Sequence, residues 1–319
     1  MQIRSIISQP LDSKRDSTNS TQRCVVGALT RSSGVMVALN ELPDPFLQSL
    51  FAPSVELDPI TLCAGFDGGK WRCEQLANHL TEWVLEFSLR AAERNLIPPG
   101  KIVATVREAA ARVFERDAQS RGEAGEILLH AACRQEFSTK QLVARIYYKS
   151  SVDQQVHGFD CVHFRETALG EVQLWLGESK LYKSVDDAIA KARASIKSHL
   201  DRGFLKSQKL LILPKIVDEN AEFASKVQHL FHANTPLDDF LSAMVVPVLI
   251  ACDSEAVGTA AKSTPQYLAN VQAEMLDVSK RVRQGSPFSE IRIQPIYVPL
   301  RSKEDLRVAF GVALKGLQQ

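Results

Sequence analysis

Asp160, Glu178 and Lys180 are two acids and a base set within twenty-odd residues of one another. They lie in the stretch HGFDCVHFRETALGEVQLWLGESK, residues 157–180. It reads as two strands joined by a turn, with Asp160 at the start of the first strand and Glu178-Ser179-Lys180 closing the second. Strand residues of equal parity share a face. A turn near Ala168 and Leu169 sets Asp160 opposite Glu178, Val162 opposite Leu176 and Phe164 opposite Leu174. All are even-numbered, so one face is apolar in the middle and carries Asp160, Glu178 and Lys180 at one end. Ser179 points the other way and has no assigned role. Directly opposed side chains have Cβ atoms about 5 Å apart, and two carboxylates that close repel unless a cation sits between them. An all-oxygen pair suits Mg²⁺, with Mn²⁺ as a substitute. The lysine at the rim would stabilise charge developing on a phosphate oxygen or help position a water. The chemistry expected is metal-assisted phosphodiester hydrolysis.

A third acid is expected from the preceding helix, residues 122–136. Glu126 shares a face with Leu129 and Cys133. That face could cover the apolar side of the hairpin and aim Glu126 at its polar end. Glu123, one turn earlier, competes for the role. The plainer reading of either is an acid complementing the dipole at a helix start. His157 and His130 lie near these residues, and a turn residue and a packed core histidine account for them as well.

The remaining elements follow from periodicity and punctuation. Residues 1–22 are polar and read as a tail, and residues 24–29 and 34–39 as strand material. CAGFDGGKW, residues 63–71, is a glycine turn before a helix and not a phosphate loop. The glycine spacing is one residue short, and Trp71 stands where Ser or Thr is required. Helices are expected at 71–95 and 104–119, and a strand at 142–148. An amphipathic helix capped by Ser184 follows at 184–200. KLLILP, residues 209–214, reads as a strand or buried segment, and 219–243 as helical. Residues 244–252 read as a strand whose Pro247 argues for an edge or a bulge. A helix from Pro265 to about 283, a strand at 290–300 and a helix at 303–317 capped by Ser302 with Asp305 complete the chain.

The 319 residues are 45% hydrophobic and 24% charged, with net charge +1. That fits a soluble globular protein. A nucleic-acid function therefore needs a local basic surface, for which Lys191, Arg193, Lys197, Arg202, Lys206 and Lys209 are candidates; a solvated helix face explains them too. The six cysteines show no CxxC spacing, which argues against a zinc site or disulfide framework and fits a reducing cytoplasm. No apolar run spans a bilayer and no signal peptide is visible, so a cytoplasmic location without membrane association is expected.

A helix with Glu126, a strand, a strand with Asp160, a strand ending Glu178-Ser179-Lys180 and then a helix resembles the PD-(D/E)XK nuclease superfamily over about residues 122–200. Phe159 stands where that motif often has proline. The run LVARIYYKSS, HGFDCVHF, LGESKLYKS resembles more specifically the HamA family, nuclease subunits of the Hachiman anti-phage defence system. The resemblance implies an α/β, restriction-endonuclease-like core, a mixed central sheet flanked by helices, spanning residues 121–319. An N-terminal α+β extension at 23–120 would be a partner-docking region. It further implies Mg²⁺-dependent cleavage of DNA by Glu126, Asp160, Glu178 and Lys180, the acids holding the metal. A HamB-like helicase partner would restrain the nuclease. A catalytically silent scaffold subunit and a sequence-specific restriction endonuclease are the alternatives. No base-recognition module is visible, which favours low sequence specificity.

Overall fold

The computed structural model of the chain describes residues 42–95, 97–120, 122–145, 158–219 and 221–319. The expected tail, the strand material of residues 24–39, His157 and the end of the 142–148 strand lie outside them.

Nine strands are present among the described residues: β1 Gln48–Ser49, β2 Ile60–Cys63, β3 Phe66–Asp67, β4 Lys70–Trp71, β5 Lys140–Val143, β6 Cys161–Glu166, β7 Val172–Tyr182, β8 Met244–Asp253 and β9 Arg292–Leu300. Seven form one mixed sheet in the order β1-β2-β9-β8-β7-β6-β5. The β2, β9, β8 and β7 strands run parallel, and β6 and β5 continue antiparallel from β7. Helices cover both faces, the α/β architecture expected of a restriction-endonuclease-like core. The separate β3–β4 hairpin turns through Gly68 and Gly69 at φ +55° and +77°, a left-handed geometry that glycine adopts without steric cost. The glycine-turn reading of residues 63–71 is thus correct.

Side-chain parity sorts the core into two layers. Cys161, Trp175, Leu181, Val245 and Leu249 pack with the helices Cys73–Glu82, Glu123–Phe137 and Lys303–Gln318. Val162, Phe164, Leu174, Leu176, Val248 and Ile250 pack with the helices Val185–His199, Arg202–Glu219 and Ala221–Phe231. The hairpin register is the expected one, Val162 opposite Leu176 and Phe164 opposite Leu174. The caps also agree: the hydroxyls of Ser184 and Ser302 accept the backbone N–H groups of Asp187 and Asp305.

Three expectations need correcting. The segment KLLILP is helical, inside Arg202–Glu219. Leu205, Ile212 and Ile216 are buried at helical spacing while Leu210 is 62% exposed, a pattern that a short apolar run conceals. The expected helix 71–95 is three pieces, Cys73–Glu82, Val84–Ser88 and Ala91–Asn95. Pro247 lies in a central strand, not an edge. It is tolerated because the β7–β8 pairing skips the step where it faces Gly177. A Cβ on Gly177 would come within 2.9 Å of the Pro247 ring. Among the described residues, no helix is long and apolar enough to cross a membrane.

Candidate active site

Antiparallel pairing brings Asp160 to β7 just before β6 begins. Its N–H donates to the Gly177 carbonyl at 2.8 Å. Its Oδ2 accepts the Ser179 N–H at 2.9 Å, so the carboxylate continues the sheet's hydrogen bonding by one step. Glu178 and Lys180 project from the even face of β7 and form an ion pair. Glu178 is 3% exposed and the Lys180 side chain 19%, so the lysine reaches the rim while the acid stays inside.

The helix Glu123–Phe137 packs on the odd face of the hairpin, opposite the one expected. Small residues dictate this. A Cβ on Gly125 would lie 2.9 Å from Ser179 Oγ and 3.0 Å from Leu181 Cβ, and one on Gly177 would lie 3.0 Å from Leu129 Cδ2. The helix therefore settles against the face where the sheet offers glycine and serine. The even strip is covered instead by Val185–His199 through Ala188, Ile189, Ala192 and Ile196.

Glu126 nevertheless reaches the same end of the sheet, through a residue missed in the sequence. Arg145, buried just beyond β5, donates to Glu126 Oε2 from Nε at 2.9 Å and to Oε1 from Nη2 at 3.2 Å. The same Nη2 donates to Asp160 Oδ1 at 2.6 Å, and Nη1 to the Phe159 carbonyl at 2.6 Å. Glu126 is thus paired with Arg145 and joined through it to Asp160. Glu123 Oε2 accepts the Gly122 N–H at 3.3 Å at the helix start. On the other side, His199 Nδ1 lies 3.5 Å from Glu178 Oε2, its ring stacked on Phe204. The signal for His199 was its place on the stripe Ile189, Ala192, Ile196. For Arg145 it was a lone charge in an apolar strand-like run.

The electrostatics are strained by design of the sequence. Burial, then the charges of Glu178 and Glu126, push Asp160 up to about 7 against the pull of Arg145 and Lys180. Burial raises Glu178 as well, against Lys180, Ser195 and Arg145. For Lys180 burial opposes the charge, but Glu178 and Asp160 outweigh it and its pKa is raised. The lysine is therefore a cation at neutral pH and suited to meeting an anion, not to accepting a proton.

Other candidates fall elsewhere. His130 belongs to a buried network described below. Arg193 donates to the carbonyls of Arg281, Val282 and Gln284 and lies over the Phe288 ring. Lys209 is buried and donates to the Thr235 carbonyl. Lys191, Lys197, Arg202 and Lys206 are exposed. Cys133, Cys161 and His163 offer ligand atoms within 4.8 Å of one another. However, both His163 ring nitrogens are engaged, by Thr139 and His130.

Comparison with known proteins bears on what this arrangement is for. A family model described as HamA matches residues 48–314, most of the chain. Anti-bacteriophage protein A of Escherichia coli (strain K12) is 21% identical over 244 residues, 74% of this chain and 44% of that protein. The chain thus spans less than half the length of this curated relative. No solved structure matches it.

Proposed function

This chain belongs to the HamA family, and starting from that membership we propose that it is a metal-dependent DNA nuclease of low sequence specificity, acting in anti-phage defence with a helicase partner. The observation that carries the reading is the gathering of Asp160, Glu178 and Lys180 at one end of the sheet, with both acids buried and both raised in pKa. The defence role draws on the family and on the name of the bacterial relative. The helicase partner draws on the family resemblance.

The donor set fits a divalent cation. Asp160 and Glu178 offer oxygen only, and their shared burial destabilises both charges until a cation neutralises them. These two residues would hold the ion, with Glu126 kept in place through Arg145. When bound, a divalent ion supplies positive charge against the scissile phosphodiester and acidifies water at neutral pH. Lys180, charged and at the rim, contributes a second positive charge toward the phosphate oxygens. His199 flanks Glu178 at the carboxylate oxygen that Lys180 does not take. The buried wall of Phe159, Leu176 and Met244 excludes water behind it. Exposed Lys191, Lys197, Arg202 and Lys206 follow on the next helices and offer a path for the DNA backbone.

The test is digestion of plasmid DNA with Mg²⁺, with chelator, and by the Lys180→Ala variant. Metal-dependent cleavage by the parent, lost in Lys180→Ala at unchanged melting temperature, is the expected result. Cleavage by the variant at the parent rate would overturn the site assignment.

A further inference from the structure

We infer that Arg145 occupies the place of a second metal ion, so that the site loads a single divalent cation, between Asp160 and Glu178, and Glu126 is not one of its ligands. The inference rests on the nuclease reading above and specifies its metal content.

Three buried carboxylates, Glu126, Asp160 and Glu178, meet at this end of the sheet. A cluster of three acids could bind two bridged divalent ions. Here one of the two bridging positions is filled. The Arg145 guanidinium sits between Glu126 and Asp160, takes both oxygens of Glu126 and one of Asp160, and is anchored by the Phe159 carbonyl. The bidentate guanidinium–carboxylate pair commits both Glu126 oxygens to a cation, whereas Arg145 takes one oxygen of Asp160 and the other accepts only a neutral backbone N–H, from Ser179. Arg145 is 7% exposed, and its guanidinium stays charged at any working pH. Charge agrees with geometry. Three acids against Arg145 and Lys180 leave one negative charge. One divalent ion turns this into one positive charge, matched to a phosphodiester. A second ion would leave three positive charges buried together.

Titration of the purified, metal-stripped full-length protein with Mn²⁺, followed by calorimetry and electron paramagnetic resonance, tests this without reference to activity. The parent is expected to bind one ion per chain with an isolated-ion spectrum. Arg145→Met should bind two, with the coupled spectrum of neighbouring ions. Should that variant fold poorly, the double variant Glu126→Gln/Arg145→Met removes a balanced pair, a change that buried ion pairs often tolerate. It is expected to bind one ion again. Two coupled ions in the parent would overturn the inference and leave the nuclease reading standing. No ion in the parent would overturn both. Loss of the single ion in the double variant would make Glu126 a ligand and overturn the inference.

Discussion

Two clusters of buried charge flank the same hairpin, and they are held in opposite ways. On the odd face, Glu86 forms ion pairs, with Arg134 Nε at 2.9 Å, Arg94 at 4.0 Å and His130 at 3.5 Å. His130 Nδ1 is 3.1 Å from His163 Nε2, and His163 Nδ1 is 2.9 Å from the Thr139 hydroxyl. Thr139 gives its one hydrogen to the Cys133 carbonyl. The His163 ring must then donate to Thr139 and accept from His130, which fixes its tautomer. Burial raises Glu86, but His130, Arg134 and Arg94 outweigh it and bring it down to about 2. Burial leads in lowering both histidines. At the sheet end, by contrast, Asp160 stands at about 7 and Glu178 is raised. One acid has more cations than it needs; the others have fewer. The first arrangement stabilises a fold, and the second keeps a demand for positive charge that a ligand can meet.

The largest expected effect separates the two clusters by what fails. Glu178→Ala or Lys180→Ala should lower DNA cleavage by roughly 10²–10³-fold or more, with Glu178→Ala melting at or above the parent, since it removes an acid whose charge burial disfavours. Glu86→Ala should do the reverse. It leaves two guanidinium groups without their acid and should cost about 3–5 kcal/mol in chemical denaturation, while cleavage per folded molecule stays near the parent. If Glu86→Ala removes cleavage without unfolding the chain, the division into structural and functional clusters is wrong.

The same contrast sets the acid limb of stability. The folded pKa of Glu86 lies below its ordinary 4.5, at about 2. Its stabilisation is therefore complete above the unfolded value and is lost as pH falls toward the folded one. The sum is on the order of 3 kcal/mol. Denaturation midpoints measured from pH 5 to pH 2 should fall in the parent and fall less in Glu86→Gln. Equal slopes in the two proteins would show that Glu86 is not the group responsible.

How much of this could be read from the chain depends on which physical rule was in force. Strand parity is strict, so the register of Asp160 and Glu178 was legible, as were the serine caps. Which helix lies on which face was not, because parity says where the acids point but not what covers them. The deciding residues, Gly125, Gly177 and Ser179, are small and carry no charge to draw notice. Arg145 escaped because LVARIYY reads as a continuous strand, whereas β5 ends at Val143 and the arginine turns into the site just past it. Pro247 misled for a related reason. Its missing N–H breaks no β7–β8 pair because the ladder skips that step, and its ring has room because it meets Gly177, 70 positions away.

A smaller effect probes the wall between the clusters. Gly177 lies between them, its carbonyl bonded to Asp160 and its Cα beneath Leu129. Gly177→Ala would put a methyl 2.5 Å from Cys161 Sγ and 2.9 Å from Pro247. Overpacking of this kind costs about 1–3 kcal/mol, measured as a shift in denaturation midpoint. A midpoint unchanged from the parent would mean that the helix can lift off the sheet freely.

The smallest effects fall on the surface, where the same contrast recurs between cations of one charge. Lys206 is exposed, whereas Arg193 is bound to three carbonyls and a ring. If Lys206 contacts a DNA phosphate, Lys206→Gln should reduce the slope of log affinity against log salt by about 0.9 and leave stability alone. Arg193→Ala should leave that slope unchanged and lower stability, because its hydrogens are already committed within the protein. Binding measured at several salt concentrations, beside thermal melts, separates the two. A slope that moves with Arg193 and not with Lys206 would place the DNA path on the other side of the helix Val185–His199.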